Sequence, residues 1–212
     1  SEATPGERWM SGWRARIGFL IPAANPTAER EMYRLAPEGV SVHFGRMVAR
    51  GPVGTLENLQ SRHASQLAHL DATVEMLAAV KPDVIVLAHT ATSYMLGKEA
   101  EHALLRRLAD TNGIPFVSAL GSAVEAFAQL GVRRIAIGTA YDQALTMRSK
   151  ASFEAYGIEV VNAICLPDVK SIFEETEDRV YRLMRAADRP EEFDQRRNHA
   201  ERGQAQQVVH GQ

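Results

Sequence analysis

A chain of 212 residues, 45% of them hydrophobic, is long enough to bury a core in one large or two small domains. Its formal charge of −2, with acidic and basic residues interspersed, lacks the basic footprint of a nucleic-acid partner or an anionic membrane surface, so neither is expected. No apolar run approaches the roughly 18 residues of a membrane span, the first residues lack the apolar centre of a signal peptide, and a single cysteine, Cys165, excludes an internal disulfide or a multi-cysteine metal site, so a cytoplasmic location is expected.

Trp9, Met10 and Trp13 lie in a polar lead-in and are expected to rest on the body. Residues 16–22 read as a first strand ending at Pro22, and residues 28–35 as a helix with Thr27 at its N-cap and Glu29 and Glu31 in its first turn. Residues 39–45 alternate as a second strand. The two glycines and one proline of residues 46–56 predict a loop able to cover a site. Residues 57–80 carry Leu59, Leu67, Leu70, Val74, Leu77 and Val80 on one stripe and predict a single helix. His63 and His69 within it have no carboxylate or cysteine at ligand spacing and read as surface or boundary residues.

Pro82 and Asp83 introduce the apolar run Val84-Ile85-Val86-Leu87, which fits a strand buried on both faces of a parallel sheet. The run stops in His89-Thr90-Ala91-Thr92-Ser93-Tyr94, a polar cluster placed at the strand's carboxyl end, where open α/β sheets bind ligands. Residues 98–110 are again helical, 114–118 a short strand, 122–130 a helix, 133–138 a strand, 142–156 a helix and 157–164 a strand. Residues 172–187 form a last helix with Val180, Leu183 and Met184 inward. This alternation predicts an α/β fold of parallel sheets flanked by helices.

The chain repeats itself. Arg16-Ile17-Gly18-Phe19, a helix and Gly39-Val40-Ser41-Val42 have a counterpart in Arg134-Ile135-Ala136-Ile137, a helix and Gly157-Ile158-Glu159-Val160. Two lobes follow, residues 14–120 and 121–190, and the second should continue after Pro190 with a buried strand matching residues 84–87. Residues 191–212 have almost no apolar content and cannot bury a face, so the second lobe reads as incomplete, with either a changed reading frame near Glu191 or a native polar tail. A lobe short of its inner strand leaves an unpaired sheet edge, which predicts self-association into a homo-oligomer.

Three loops, 22–27, 89–94 and 139–142, should meet at the carboxyl edges of the strands. They bring an amide, hydroxyls, a phenol, an imidazole and backbone N–H groups, an inventory suited to a small carboxylate or a developing enolate. The glycines match neither a dinucleotide fingerprint nor a phosphate loop, so chemistry without a cofactor and without a metal is expected. Each residue also has a plainer reading. Asn25 before Pro26 suits a turn, Thr90, Thr92 and Ser93 suit caps of a helix starting near Leu96, Tyr141 suits a helix start, and His89 suits a satisfied structural histidine.

Ile17-Gly18-Phe19-Leu20-Ile21-Pro22-Ala23-Ala24-Asn25, Val86-Leu87-Ala88-His89-Thr90 with Gly97 beyond, and above all residues 131–141 resemble the arylmalonate decarboxylase and maleate cis-trans isomerase branch of the aspartate/glutamate racemase superfamily. The resemblance covers residues 14–189. It implies a pseudo-symmetric two-lobed fold, an active site between the lobes, and cofactor-free chemistry through an enediolate. By the same resemblance Thr90 and the Ala91 backbone match positions that hold a carboxylate, Tyr141 matches the phenol donor, and Asn25 matches the isomerase-type asparagine, so all four are expected to bind substrate. His89 stands where racemases and isomerases have cysteine and decarboxylases have glycine, and becomes a proton carrier if its pKa lies near neutral. The family's second cysteine belongs on the strand expected after Pro190, and Cys165 does not match it.

The resemblance therefore implies a cofactor-independent decarboxylase acting on a small malonate-type or arylmalonate-type dicarboxylate, with His89 and Tyr141 catalytic. A maleate cis-trans isomerase or racemase-like enzyme is one alternative. An inactive carboxylate-binding paralogue is the other.

Overall fold

The computed structural model describes residues 11–50 and 59–188. The first lobe runs β1 (Ala15–Pro22), α1 (Ala28–Leu35), β2 (Val40–Met47), α2 (Leu59–Ala68), α3 (Leu70–Ala78), β3 (Val84–Leu87), α4 (Thr90–Leu96), α5 (Lys98–Asn112) and β4 (Phe116–Ser118). Its four strands form a parallel sheet in the order β2-β1-β3-β4. Then come α6 (Ala119–Gln129), β5 (Arg134–Thr139), α7 (Gln143–Glu154), β6 (Glu159–Cys165) and α8 (Glu177–Asp188), with β5 and β6 paired in a second parallel sheet. The α/β architecture of two parallel sheets with flanking helices agrees with the sequence pattern. Among the described residues the second sheet has two strands against four in the first. No helix among them is long and apolar enough to cross a membrane.

The internal repeat extends to hydrogen-bond register. Arg16 and Ile17 of β1 sit opposite Ser41 and Val42 of β2, and Arg134 and Ile135 of β5 sit opposite Glu159 and Val160 of β6. Beyond that pair the second lobe departs, because Ala136 pairs with Asn162 and leaves Val161 as the extra residue of a bulge.

Each lobe has its own core. Leu20, Ile85 and Leu87 meet Leu70, Val74 and Leu77 of α3, all nearly inaccessible to solvent, and Leu108 of α5 closes that layer. Gly18 is the residue that lets α3 approach, since a Cβ there would stand 3.0 Å from Leu77 Cδ2. In the second lobe Leu120 of α6 and Phe153 of α7 cover Ile137, Ile158 and Val160. Gly138 plays the part of Gly18, with a Cβ there 2.9 Å from Leu183 of α8.

Several local expectations change. The helix read over residues 57–80 is broken at His69, whose backbone (φ −110°, ψ 6°) leaves the helical region while its Nδ1 takes the Ser65 carbonyl at 2.8 Å. His63 is buried, not a boundary residue, because α2 turns it inward. Residues 172–176 stay outside the last helix, and of its three inward residues only Leu183 is buried, Val180 and Met184 being 41% and 42% exposed. Thr27 does not cap α1 through its side chain. Trp9, Met10, residues 51–58 of the covering loop, the strand expected after Pro190 and the polar tail lie outside the described residues.

Candidate active site

Three strand ends bring the predicted residues together, each by a different local device. After β1 the chain turns at Asn25, whose N–H bonds to the Pro22 carbonyl at 3.1 Å. The Asn25 side-chain carbonyl then accepts from the N–H of Thr27 and of Ala28, both at 2.9 Å, and from the Thr27 hydroxyl at 3.2 Å. Asn25 therefore does the capping expected of Thr27, an Asx turn that satisfies orphan donors at the start of α1. Its carbonyl is spent there, so the part suited to a ligand is the amide nitrogen. Arg46 of β2 braces this turn by donating to the carbonyls of Ala23 and Asn25 at 2.8 and 3.1 Å.

After β3, Ala88 donates to the Leu20 carbonyl at 2.9 Å, and α4 begins directly at Thr90. The polar cluster is thus the first turns of a helix and not a loop leading to one near Leu96. The 3.6-residue period puts Thr90 and Tyr94 on one face, while Ala91, Thr92 and Ser93 turn inward and are buried. In that opening turn the Thr92 N–H bonds the His89 carbonyl at 3.0 Å, while the Thr90 and Ala91 N–H groups have no intrahelical carbonyl four residues back to bond.

After β5, the Thr139 hydroxyl meets the Thr146 hydroxyl at 2.6 Å and accepts from the Tyr141 N–H at 3.2 Å, while Asp142 caps α7 through the Leu145 N–H at 2.7 Å. Tyr141 is pinned by this turn, and its ring meets Tyr94 edge-on with centroids 6.4 Å apart. The Tyr141 hydroxyl lies 3.4 Å from the Thr90 hydroxyl, joining the end of β5 to the end of β3. Burial pushes both phenols up, Tyr94 to about 12, so each remains a protonated donor across the physiological range.

Asn25, Thr90, Tyr94 and Tyr141 line one cleft of about 1160 Å³, closed on its far side by Val180 and Tyr181 of α8. Four acids also line it, Glu31, Glu175, Glu177 and Asp178. Two of these are held in ion pairs, Glu175 with Arg179 at 2.8 Å and Asp178 with Arg182 at 2.9 Å. Neutral donors at the strand ends are therefore the groups suited to hold an anion.

His89 does not line this cleft. Its Nδ1 meets the Thr92 hydroxyl at 2.9 Å, an arrangement that orients the start of α4. Burial, with the charges of His63 and Arg62 adding to it, lowers its pKa to about 4. The near-neutral value on which a proton-carrying role depended is thus not met; the imidazole is neutral at pH 7. Cys165 faces α7, its Sγ 3.5 Å from Gln143 Oε1, and does not line the cleft either. Among the described residues no group of three or more His, Cys, Asp and Glu side chains could hold a metal ion.

Sequence reasoning placed Tyr94 in the ligand-edge cluster without giving it a role, and missed the α8 wall. Tyr94 was legible in principle, since it stands four residues after Thr90, but only once those residues are read as helix. The α8 residues carry no local signal, because only the packing of α8 over Gly138 brings them to the cleft.

Residues 17–195 match the family model described as arylmalonate decarboxylase. Curated relatives include a maleate isomerase of Geobacillus stearothermophilus, 27% identical over 165 residues, which are 71% of this chain and 63% of the relative. Another is a maleate isomerase of Nocardia farcinica, 29% identical over 153 residues, 68% of this chain and 59% of the relative. The chain thus spans about three fifths of the length of the curated relatives it matches. Among solved structures it resembles a cysteine-to-serine mutant of Nocardia farcinica maleate cis-trans isomerase with a covalently bound succinylcysteine intermediate. The TM-score is 0.71 at 26% identity over 81% of this chain and 72% of that one. A crystal structure of arylmalonate decarboxylase shares the fold, with TM-score 0.58 at 18% identity over 82% of this chain and 73% of that one.

Proposed function

The chain belongs to the arylmalonate decarboxylase family, and from that premise we propose that its cleft takes a small cis-dicarboxylate of the maleate type, with one carboxylate held against Thr90, Tyr141 and the Asn25 amide. The observation that carries this reading is the 3.4 Å approach of the Thr90 and Tyr141 hydroxyls from two different lobes. A hydroxyl and a phenol that stays protonated are donors fixed before the ligand arrives. Such donors favour charge that develops on a carboxylate as it becomes an enediolate more than they favour the resting carboxylate.

Cis-trans isomerisation fits this site better than the decarboxylation expected from the sequence, because curated relatives on the maleate side are isomerases. Rotation requires a nucleophile to add to one alkene carbon, so that the π pair moves through the other carbon onto its carboxylate as an enediolate and the bond stays single until the nucleophile leaves. In the Nocardia relative a succinylcysteine adduct has been captured. No thiol lines the described part of this cleft, so the described residues serve recognition and charge stabilisation, and no nucleophile is assigned among them. His89, neutral and tied to Thr92, acts as a positioning residue for α4. Decarboxylation is the second reading: loss of CO2 from a malonate breaks one C–C bond, leaves the same enediolate on the remaining carboxylate, and starts without a thiol adduct.

Proton NMR of the 212-residue protein with maleate and with phenylmalonate separates these readings through the appearance of fumarate or of phenylacetate. Tyr141→Phe is expected to weaken maleate binding about tenfold and to lower any turnover about a hundredfold, the scale for one lost oxyanion donor. Binding and turnover unchanged in both Tyr141→Phe and Thr90→Ala would exclude this site.

A further inference from the structure

Two phenols converge on Thr90. Besides Tyr141 there is Tyr94, which stands one helical turn after Thr90 on the same face of α4 and lines the same cleft. Its ring meets Tyr141 edge-on at 82°, with centroids 6.4 Å apart, and rests on Phe153 of α7 at 6.4 Å. Around Phe153 it packs against the apolar cluster that includes Leu120 and Ile137. A side chain carried by the first lobe is thus anchored in the core of the second, and its phenol reaches the cleft from a fixed base.

This cluster holds more protons than it can use. Burial raises the pKa of both phenols, Tyr94 to about 12, and the neighbouring Tyr141 adds to the rise at Tyr94; hydrogen bonding by the Thr90 hydroxyl opposes it in each. Both phenols therefore stay donors, and with Thr90 they bring three O–H groups together. Among the described residues no carboxylate bonds to any of the three. The 3.4 Å between the Thr90 and Tyr141 hydroxyls is also well beyond the roughly 2.7–2.8 Å of a good O–H···O bond, so these groups gain little from one another. An anionic oxygen among them would accept shorter, charge-assisted bonds. A carboxylate offers two such oxygens on one carbon, and both gain charge as an enediolate forms. Thr90 and Tyr141 face one of them, which leaves the second without a donor. On the α8 side of the cleft Glu177 and Asp178 disfavour an anion, so a carboxylate keeps both oxygens at the strand ends.

We propose that Tyr94 is a further substrate-binding residue, whose hydroxyl takes the second oxygen of the carboxylate that Thr90 and Tyr141 hold by its first. The two phenols then divide the charge of the enediolate between them. This inference rests on the dicarboxylate reading of the cleft and adds a donor to it. The test is an NMR titration of the 212-residue protein, isotope-labelled at tyrosine Cζ, with maleate, the Tyr94 signal being assigned by its loss in Tyr94→Phe. The Tyr94 and Tyr141 signals are expected to move saturably with one Kd, while those of Tyr33 and Tyr156, which do not line the cleft, stay put. Tyr94→Phe keeps the ring on Phe153 and removes the donor, so it should weaken maleate about tenfold, the scale of one hydrogen bond to a charged group, with an unchanged circular dichroism spectrum. A Tyr94 signal that stays still while Tyr141 moves would overturn this inference alone. So would binding that weakens in Thr90→Ala and Tyr141→Phe but not in Tyr94→Phe. Indifference of all three variants would instead remove the carboxylate site on which it rests.

Discussion

The two lobes start from one sequence unit and reach different degrees of completeness. In the first, β1 has a hydrogen-bonded neighbour on each side, β2 and β3, and α3 and α5 seal one face of the sheet. In the second, β5 has β6 alone among the described residues, and its covering helices α6 and α7 do the burying that further strands do in the first lobe. The same Arg-Ile start and the same register therefore do not fix how firmly a strand is held. That depends on what the chain supplies next, since a parallel strand gains its second neighbour only through another crossover.

Core truncation tests the contrast most strongly. Leu20→Ala, at a fully buried site between α3 and β3, is expected to cost about 3–5 kcal/mol in a urea unfolding titration. Val160→Ala removes less buried side chain and should cost clearly less, about 1–2 kcal/mol. Equal losses would mean that the two cores are equally well packed and that the comparison fails.

The paired strand glycines give a smaller difference. Gly18→Ala places a methyl 3.0 Å from Leu77 and 3.1 Å from Ile85, two core side chains held by their neighbours, and should cost about 1–3 kcal/mol. Gly138→Ala brings its methyl to 2.9 Å from Cγ of the buried Leu183, closer than any contact at Gly18, so although Met184 can move aside a loss at least as large is expected in the same titration. A clearly smaller loss for Gly138→Ala would show that α8 yields where α3 does not.

The smallest effect concerns pH, and it arises where α4 joins the lobes. His89 has its pKa lowered to about 4 in the folded chain against an ordinary 6.5. Between those values the unfolded chain binds the extra proton and the folded chain does not, so stability is full above pH 6.5 and declines as pH falls toward 4. His89→Asn should flatten that slope in urea midpoints taken from pH 7 to pH 4.5. A slope unchanged by the substitution would place the linked group elsewhere, with His63, also lowered by burial, next to examine.

Much of this was legible in the residues themselves. The run Val84-Ile85-Val86-Leu87 reads as a strand buried on both sides, and it is a strand, but only Ile85 and Leu87 are sealed while Val84 and Val86 stay half-buried; the polar residues after it fall at a ligand edge, where Thr90 stands. Hydrophobic period and Arg-Ile repetition likewise sufficed for the two sheets. What escaped were properties set across the fold. Nothing local shows that His89 would be buried, beside His63 and Arg62, and so lose its proton, or that Thr90 would open a helix without an intervening loop. Asn25 and Thr27 competed for the same cap, and only the turn geometry decides between them.

The bulge at Val161 has an effect out of proportion to its size. Side chains alternate along a strand, so one additional residue exchanges the two faces for everything that follows it. With Val161 present and half exposed, Asn162 turns to α8 and reaches the Ala187 carbonyl at 2.9 Å, Ala163 joins the apolar layer, and Cys165 faces α7. Deleting that single valine would restore a regular ladder with Asn162 still opposite Ala136 and Ala163 opposite Ile137, whereas drawing Val161 into the ladder would send the Asn162 amide into the apolar layer and the thiol to the α8 side. One residue held out of the pairing thus decides on which side of the sheet the chain's sole sulfhydryl lies.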